Sequence, residues 1–555
     1  KSRHLDQGML RRTPVMSGTR AWLIARQTWP DASLPPGADR STAVDTLSMA
    51  TIESHNPRTG LVAGYVAETP LADVDAAALR AAAAAPSVAD ASLATRSSWL
   101  RAVADALEAH QEALVAVADS ETALGASRLE SEVARTAAQL RHYADVAAEG
   151  SWLGATVDRP SGADTPELRR LNVPVGPVAV LGSSNFPLAF GIVGNDTGSA
   201  IAAGCPVIAK AHPAHPQLDV LLTEIAISAL DEGGAPSGTF GVVHGFSAGQ
   251  QLVMHPSTAA VAFTGSQAGG FALCRLAASR NVIIPVFAEM GSLNPLVVTP
   301  AAAAARTEEI ARVFVDSLTL GMGQYCTKPG LLLVPSGHGL VAAVTSAFEA
   351  AAPAGWLLTQ PIATSYAVGV GRLLEGGGRL LAAIPAVQGG WAASPTLVAA
   401  TPDQIVYDVA FSEEYFGPVA VVCEYGSEQE LERVLAALPG SLVAAVHGEL
   451  ADDPLLAALT RRLAHLAGRV VVNGYPTGVV VGWAQQHGGP WPATTAPAAT
   501  SVGAGALARF VRPVAYQNAP ADVLPPPIRD DNPWRVPQRI DGKVRRTGTR
   551  TRSAQ

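Results

Sequence analysis

The sequence predicts an α/β fold in which a doubly wound parallel sheet carries helices on both faces. From Val175 onward, short apolar runs alternate with helical segments, and strands that alternate with helices in this way pair in parallel. Of the 555 residues, 48% are hydrophobic and 15% are charged, so the chain can bury the large cores that such sheets need. The length suits two or three domains.

Both ends of the chain are predicted to be tails. Residues 1–48 mix Arg, Pro, Gly and Ser without a hydrophobic period and predict a flexible arm. Met49 precedes the first structured segment, which predicts it as the natural start. Residues 521–555 are predicted as a C-terminal tail. Because the net charge is −8 although both ends are basic, the body is acidic, which argues against nucleic acid or a membrane as a partner.

The region before Val175 is predicted to be mainly helical. Turn residues precede a predicted strand over Leu61–Val66. Ala-rich helices are predicted from Leu71 to Ala148, because apolar residues recur there at steps of three, four and seven. A second strand is predicted over Trp152–Val157.

The alternating region predicts two successive α/β blocks. The first contains predicted strands and helices in the order Val178–Leu181, helix Phe190–Ala203, Val207–Lys210, helix Leu218–Leu230, Phe240–Val243 and Ala260–Phe263. The second runs from Pro285 to about Val472 and is followed by a Gly- and Pro-rich loop over residues 474–500 and a last strand over Phe510–Gln517. Ligands bind such sheets at the carboxyl ends of the strands.

The cysteines predict a reducing compartment and no metal site. The spacing of Cys205, Cys274, Cys326 and Cys423 includes no CxxC pair and fits no zinc pattern. A disulfide framework is not expected in so large a chain. The longest uncharged stretch, Leu171–Asn195, contains three prolines and is a poor membrane span. We therefore expect a cytoplasmic protein.

Five ordered segments combine Gly-rich turns with Asn, Lys, Glu and Cys side chains: Gly182–Leu188, Ile208–His212, Phe263–Gly270, Phe287–Gly291 with Gly323–Gly330, and Glu413–Val419. In this order they resemble the aldehyde dehydrogenase superfamily over about residues 50–525. The resemblance implies an aldehyde dehydrogenase-like fold with a cofactor domain, a catalytic domain and a small β oligomerisation unit. It also implies a homodimer or homotetramer assembled through that unit.

The resemblance assigns sequence ranges to these domains. The cofactor domain is expected over residues 49–151 and 175–288, and the α/β catalytic domain over 289–484. The oligomerisation strands are expected over 152–174 and 505–520.

The catalytic residues are expected in three of the segments. Cys326 lies beside a Pro-Gly turn, which predicts an exposed loop, whereas most free cysteines are buried and inert. The resemblance implies that it is the nucleophile. Glu289 follows an apolar run, where partial burial would raise its pKa. The resemblance implies that it activates the hydrolytic water, which favours release of a free acid over transfer to coenzyme A.

Asn185 follows the predicted strand Val178–Leu181. It is either a turn asparagine or, as the resemblance implies, an amide donor to the oxyanion formed at the nucleophile.

The resemblance implies an NAD(P) site after the first strands. Gly265, Ser266 and Gly270 open a helix whose N-terminus would approach the pyrophosphate. Lys210 ends a strand, where it would reach the adenosine ribose. His212 follows it, either as a second contact or as a loop histidine.

Many family members carry Glu three residues after this lysine, but here the position is Pro213, which favours NADP although NAD stays open. Glu414 and Phe416 resemble the pair that holds the nicotinamide ribose and ring; without the resemblance they would be a surface and a core residue. Lys328 could lower the thiol pKa, contact an acidic substrate or face solvent.

The expected reaction is oxidation of a small-molecule aldehyde to a carboxylic acid through a cysteine thiohemiacetal and thioester. Segments such as Lys210–Pro216 and His487–Thr494 resemble a subgroup that acts on 2-oxoglutarate semialdehyde. A long aliphatic aldehyde is the alternative substrate. A non-catalytic nucleotide-binding protein of the same fold is a third interpretation, which the presence of all three catalytic side chains disfavours.

Overall fold

The computed structural model describes residues 50–162, 164–450 and 453–545. The predicted arm over residues 1–48 and the predicted start at Met49 lie outside the described residues. The described part opens with a hairpin and four helices, as the Ala-rich pattern predicts: β1 (Thr51–His55), β2 (Val62–Ala67), α1 (Leu71–Asp90), α2 (Leu93–Ala109), α3 (Gln111–Thr122) and α4 (Ala126–Glu149). Leu100, Leu107 and Leu140 are buried where α2 packs on α4.

The strand predicted over Trp152–Val157 is shorter than expected. Ser151–Leu153 form a 3₁₀ turn, and β3 (Thr156–Asp158) begins only after it. Gly150 and Gly154 flank this turn with φ of 77° and 59°, a left-handed conformation that glycine adopts easily and that bends the chain out of an extended path. An antiparallel partner, β4 (Leu168–Pro174), follows.

The first α/β block forms a five-stranded parallel sheet in the order β7-β6-β5-β8-β9. Its strands and helices are β5 (Val178–Leu181), α5 (Asn195–Ala203), β6 (Val207–Lys210), α6 (Pro216–Glu232), β7 (Phe240–Val243), α7 (Phe246–Met254), β8 (Ala260–Gly265), α8 (Gln267–Ala278) and β9 (Val286–Met290). The predicted bounds of β5, β6 and β7 are confirmed.

The helix predicted over Phe190–Ala203 begins only at Asn195. A side chain at Gly191 would lie 1.9 Å from the Pro187 carbonyl oxygen, and one at Gly194 would lie 2.3 Å from that of Ala189. The chain therefore folds back tightly on itself before the helix starts. Small residues here serve a close backbone approach rather than a helix.

The second block forms a seven-stranded sheet in the order β12-β13-β14-β11-β10-β15-β16, parallel except for β12. Its elements are β10 (Pro295–Val298), α9 (Pro300–Thr319), β11 (Leu331–Pro335), α10 (Leu340–Ala351), α11 (Gln360–Glu375), β12 (Arg379–Ala383), β13 (Thr396–Ala400), α12 (Pro402–Tyr407), β14 (Val419–Tyr425), α13 (Glu428–Ala437), β15 (Ser441–His447), α14 (Pro454–Leu463) and β16 (Ala467–Val472). Residues 474–500 form the predicted long loop.

A third sheet joins segments far apart in the sequence. Its order is β17-β4-β3-β18-β19, with β17 (Val511–Gln517), β18 (Gln538–Ile540) and β19 (Lys543–Arg545). Strands β3, β4 and β17 lie in the segments expected for the oligomerisation unit, whereas β18 and β19 lie in the expected tail, and β9 crosses the expected boundary at residue 288. The roles of the domains stay a prediction. No helix in the described residues is long and apolar enough to cross a membrane.

Residues 521–545 differ from the predicted tail. Leu524, Ile528 and Val536 are buried against Leu153 and Leu171, and β18 pairs with β3. The apolar residues of this segment lie among prolines and do not recur at the spacing of a helix or a strand. The hydrophobic pattern therefore did not predict that the segment is buried, because its burial depends on a distant sheet.

We expect Ile528→Ala to lower the free energy of unfolding by about 2–5 kcal/mol, because it removes a fully buried side chain from this cluster. Val523→Ala is the matched control, since Val523 is 62% exposed, and it should change stability by less than about 0.5 kcal/mol. Chemical denaturation measures both variants. Equal, small effects would contradict the packing of this segment.

Candidate active site

A cleft of about 1070 Å³ opens at the carboxyl ends of β5, β6 and β8. Its position follows the rule for parallel sheets, where loops at the strand ends leave a crevice. The predicted site residues that line it are Asn185, Lys210, His212, Gly265, Ser266, Glu289, Cys326, Glu414 and Phe416. The structure thus brings together side chains from both α/β blocks.

Gly270 is the predicted site residue that does not line the cleft. A Cβ on Gly270 would lie 2.4 Å from the Met290 sulfur and 3.3 Å from the Ala288 Cβ. Its small size allows α8 to pack closely on β9. Gly269, which was not predicted, lines the cleft in its place.

The loop that carries Cys326 is held by a tight turn and by one buried amide. Gly323 has φ of 65°, and a Cβ there would lie 2.4 Å from the Gly417 carbonyl oxygen, so only glycine fits. The Asn294 amide nitrogen donates to the carbonyl oxygens of Cys326 at 2.7 Å and Lys328 at 3.1 Å. The backbone around Cys326 is therefore fixed by contacts within the protein.

The Cys326 sulfur lies within a cluster of potential acids and bases. The His487 Nε2 is 3.7 Å from the sulfur and 3.2 Å from the Glu289 Oε1. The three donor atoms lie within 4.8 Å of one another, and the histidine and glutamate side chains are buried. Proton transfer among these groups needs little motion.

Burial and negative neighbours control the charge of the Cys326 thiol. Burial of the thiol and then the carboxylates of Glu289 and Glu414 raise the pKa of Cys326 well above its ordinary value, and the more distant Arg135 opposes them. The protein without ligand therefore holds a protonated thiol, which needs a base to become nucleophilic.

The Asn185 side chain is buried and lines the same cavity as Cys326. Its Nδ2 donates to the Gln324 carbonyl oxygen at 2.9 Å, which ties it to the loop before Cys326. An amide nitrogen has two protons, so one N–H is left for an oxyanion in the shared cavity.

The structure places Lys328 neither beside the Cys326 thiol, nor in the cleft where a substrate could bind, nor in solvent, the three positions that the sequence left open. It is 2% exposed, and its Nζ donates to the carbonyl oxygens of Tyr415 and Val419 at 2.8 Å each. Burial lowers its pKa, while the nearby Glu414 carboxylate opposes that change. In the same way burial raises the pKa of Glu414 and Lys328 opposes the rise. Lys328 therefore supports the Glu414 loop.

The opposite end of the cleft carries positive and hydrogen-bonding groups. Ser266 caps α8, because its Oγ accepts the Gly269 backbone N–H at 3.2 Å. Burial lowers the pKa of Lys210 and, to a greater extent, that of His212. The His212 Nδ1 accepts the Ala214 backbone N–H at 3.1 Å, which leaves its Nε2 as a donor.

Sequence reasoning did not assign roles to two residues of this site. His487 belongs to a quoted segment, but its distance of 161 residues from Cys326 hid their contact. Asn294 follows Glu289 by five residues, and its unusual φ of 54° is a backbone feature that sequence does not display. The available signal for Asn294 was a polar residue within an apolar stretch, close to a predicted catalytic segment.

The chain belongs to the aldehyde dehydrogenase family, whose profile matches residues 44–490. Members of this family oxidise aldehydes with a nicotinamide cofactor, and the resemblance predicted from the five segments is confirmed. Among curated proteins, this chain is 46% identical over 461 residues to alpha-ketoglutaric semialdehyde dehydrogenase 2 of Azospirillum brasilense. The aligned region covers 81% of this chain and 88% of that protein.

A second relative extends this similarity. The chain is 39% identical over 502 residues to alpha-ketoglutaric semialdehyde dehydrogenase of Acinetobacter baylyi, covering 89% of this chain and 95% of that protein. Among solved structures, a point mutant of an aldehyde dehydrogenase from Bacillus cereus superimposes with a TM-score of 0.73 at 25% identity, covering 84% of this chain and 93% of that one. The predicted fold class is confirmed.

We expect Glu289→Gln to accelerate alkylation of Cys326 by iodoacetamide at pH 8. The substitution removes a negative charge that raises the thiol pKa, so the thiolate fraction rises, by about tenfold for each unit that the pKa falls. Glu413→Gln is the control, because Glu413 pairs with Arg372 outside this cluster. A slower or unchanged rate in Glu289→Gln would contradict the electrostatic interpretation.

Proposed function

We propose that this chain oxidises 2-oxoglutarate semialdehyde to 2-oxoglutarate. The observation that carries the proposal is the convergence of Cys326, Glu289 and Asn185 on one cavity beside a dinucleotide-sized cleft, with His487 close to the Cys326 sulfur and the Glu289 carboxylate. The substrate is suggested by the names of the two relatives at 46% and 39% identity.

Capture of the aldehyde would begin with the protonated thiol. His487, 3.7 Å from the sulfur, accepts the thiol proton, and the sulfur forms a bond to the carbonyl carbon. The carbonyl oxygen becomes an oxyanion that accepts hydrogen bonds from Asn185 Nδ2 and the Cys326 backbone N–H. Such donors each lower the barrier by about 3–4 kcal/mol.

NAD(P)⁺, when bound, supplies the hydride acceptor that converts the thiohemiacetal to a thioester. Glu289 then accepts a proton from water as the water oxygen attacks the thioester carbon. The carbon–sulfur bond breaks, the acid leaves, and the sulfur recovers a proton from His487. A buried carboxylate beside the nucleophile suits this second step, which transfer to coenzyme A would not need.

The described residues fit a nicotinamide dinucleotide. The cleft volume is that of a large ligand site. Glu414 lines the cleft, and its Oε1 is buried without a hydrogen-bond partner among the described residues, as expected for an acceptor awaiting a ribose hydroxyl. Ser266 and Gly265 would hold the pyrophosphate at the start of α8, and Phe416 would contact the nicotinamide.

We propose NADP as the preferred cofactor. Lys210 and Arg275 line the cleft, whereas the carboxylates that line it, Glu289 and Glu414, belong to the nicotinamide end. His212 adds a neutral donor. The positive charges at this end of the cleft therefore favour the 2′-phosphate of NADP over the 2′-hydroxyl of NAD.

The test of the function is the appearance of reduced nicotinamide when purified protein meets NADP and 2-oxoglutarate semialdehyde. We expect turnover, its loss in Cys326→Ala, and in Glu289→Gln a burst of about one equivalent per site followed by slow turnover, because hydrolysis fails after the thioester forms.

Pentanal serves as the matched uncharged substrate. Turnover of aliphatic aldehydes with no activity on the semialdehyde would keep the cysteine mechanism and replace the substrate. No turnover with any aldehyde would contradict the proposed function.

We expect Pro213→Glu to lower kcat/KM for NADP at least about tenfold while NAD is affected less, because a carboxylate near Lys210 would repel a 2′-phosphate. Pro213 is exposed, so the substitution needs no repacking. Pro213→Gln is the uncharged control. An equal change for both cofactors would contradict the proposed position of the phosphate.

We also propose a homodimer or homotetramer. The strand β17 forms one edge of the third sheet in the described part of the chain, and an edge strand can pair with a second copy. A cytoplasmic location suits a mechanism that needs a reduced thiol at Cys326.

A further inference from the structure

A narrow chamber adjoins the nucleophile and continues from the cofactor cleft. Both cavities are lined by Cys326, Asn185 and Glu289. The chamber is further lined by Arg135, Phe186, Phe190, Tyr325 and Val479, which do not line the cleft. Because a bound dinucleotide would occupy the cleft, we expect the part of the substrate beyond its aldehyde group to enter among these side chains. The free volume of the chamber is about 10 Å³, so its side chains have to move apart to admit the substrate.

Arg135 brings a positive charge into this chamber. It lies on α4, and its guanidinium carbon is 5.2 Å from the ring centroid of Phe186 and 5.6 Å from that of Phe190. Its Nη2 donates to the Val479 carbonyl oxygen at 3.1 Å. These two neighbouring rings restrict the guanidinium, while its remaining N–H groups stay available.

No carboxylate in the described residues lies within 4.0 Å of the Arg135 nitrogens. The nearby Glu132 is turned elsewhere, since its Oε1 accepts the backbone N–H groups of Leu188 and Ala189. Burial lowers the pKa of Arg135, and the charge of the nearby Glu132 carboxylate only partly opposes that change. A carboxylate supplied by a ligand would offset the remaining cost of burial.

Arg128, about two helical turns before Arg135 on α4, is differently engaged. Its Nη2 donates to the Asn185 carbonyl oxygen at 2.6 Å, and its guanidinium carbon lies 5.1 Å from the rings of Phe186 and Tyr325. Arg128 does not line the chamber. It is therefore a positioning residue for Asn185, and Arg135 is the arginine that faces the substrate.

We propose that Arg135 binds the carboxylate at the far end of the substrate and selects aldehydes that carry one. The substrate class is a short semialdehyde with a terminal carboxylate, with its aliphatic carbons packed between the aromatic rings. This inference rests on the proposed function of the site, whose cysteine chemistry it places at the opposite end of the same substrate.

The first test compares Arg135→Met and Arg135→Lys with the unaltered enzyme on 2-oxoglutarate semialdehyde and on pentanal. We expect Arg135→Met to lower the ratio of kcat/KM for the charged over the uncharged substrate about 10- to 100-fold, mainly through KM, because charge-assisted hydrogen bonds are lost. Arg135→Lys should recover part of the ratio. An unchanged ratio, including an equal loss on both substrates, would overturn the proposal.

Arg128→Met is the matched control, because it removes an arginine from the same helix without removing a chamber side chain. It should lower kcat for both substrates alike through Asn185. A loss confined to the charged substrate would assign the recognition to Arg128 and overturn the role of Arg135.

A second measurement does not depend on turnover. Titration of the Cys326→Ala enzyme with 2-oxoglutarate should show saturable binding that weakens about 10- to 100-fold on adding Arg135→Met. This result would support carboxylate recognition even if oxidation of every aldehyde failed, so the two proposals can fail separately. Equal affinity with and without Arg135 would overturn the inference.

Discussion

The buried amide of Asn294 is the interaction on which the arrangement of the site depends. Its nitrogen holds the carbonyl oxygens on both sides of Thr327, and its Oδ1 accepts the Val443 N–H of β15 at 3.2 Å. Leaving such buried groups unpaired costs about 1–3 kcal/mol each. The same loop carries Lys328, whose Nζ supports the segment bearing Glu414, so the positions of both Cys326 and Glu414 depend on this amide.

Groups of opposite charge surround Cys326. Glu414 lines the cofactor cleft, Arg135 lines the chamber proposed for the substrate, and Glu289 lines both cavities. Burial of the thiol, and then the carboxylates of Glu289 and Glu414, raise the pKa of Cys326, which limits its reactivity towards alkylating agents and oxidants. We expect a positively charged nicotinamide in the cleft to oppose the effect of these carboxylates on the thiol pKa.

The long loop over residues 474–500 contributes more to the site than its lack of regular structure indicates. Glu289 forms an isolated antiparallel bridge with Thr494, and the Met290 N–H donates to the Ala493 carbonyl oxygen at 2.9 Å. These contacts align the loop along β9 and bring His487 close to Glu289. The same loop supplies Val479, the acceptor for Arg135.

Local sequence signals were sufficient for the α/β class and the bounds of β5, β6 and β7, because strand periodicity and Gly-rich turns are visible within a few residues. The resemblance of five ordered segments to a known family predicted nine of the residues that line the cleft. The remaining features depend on long-range packing. His487 meets Cys326 across 161 residues, Gly270 serves helix packing, and Ile528 is buried against a distant sheet. Whether a carboxylate lies close enough to pair with Arg135 depends on every segment packed around it. No local sequence pattern can therefore predict it.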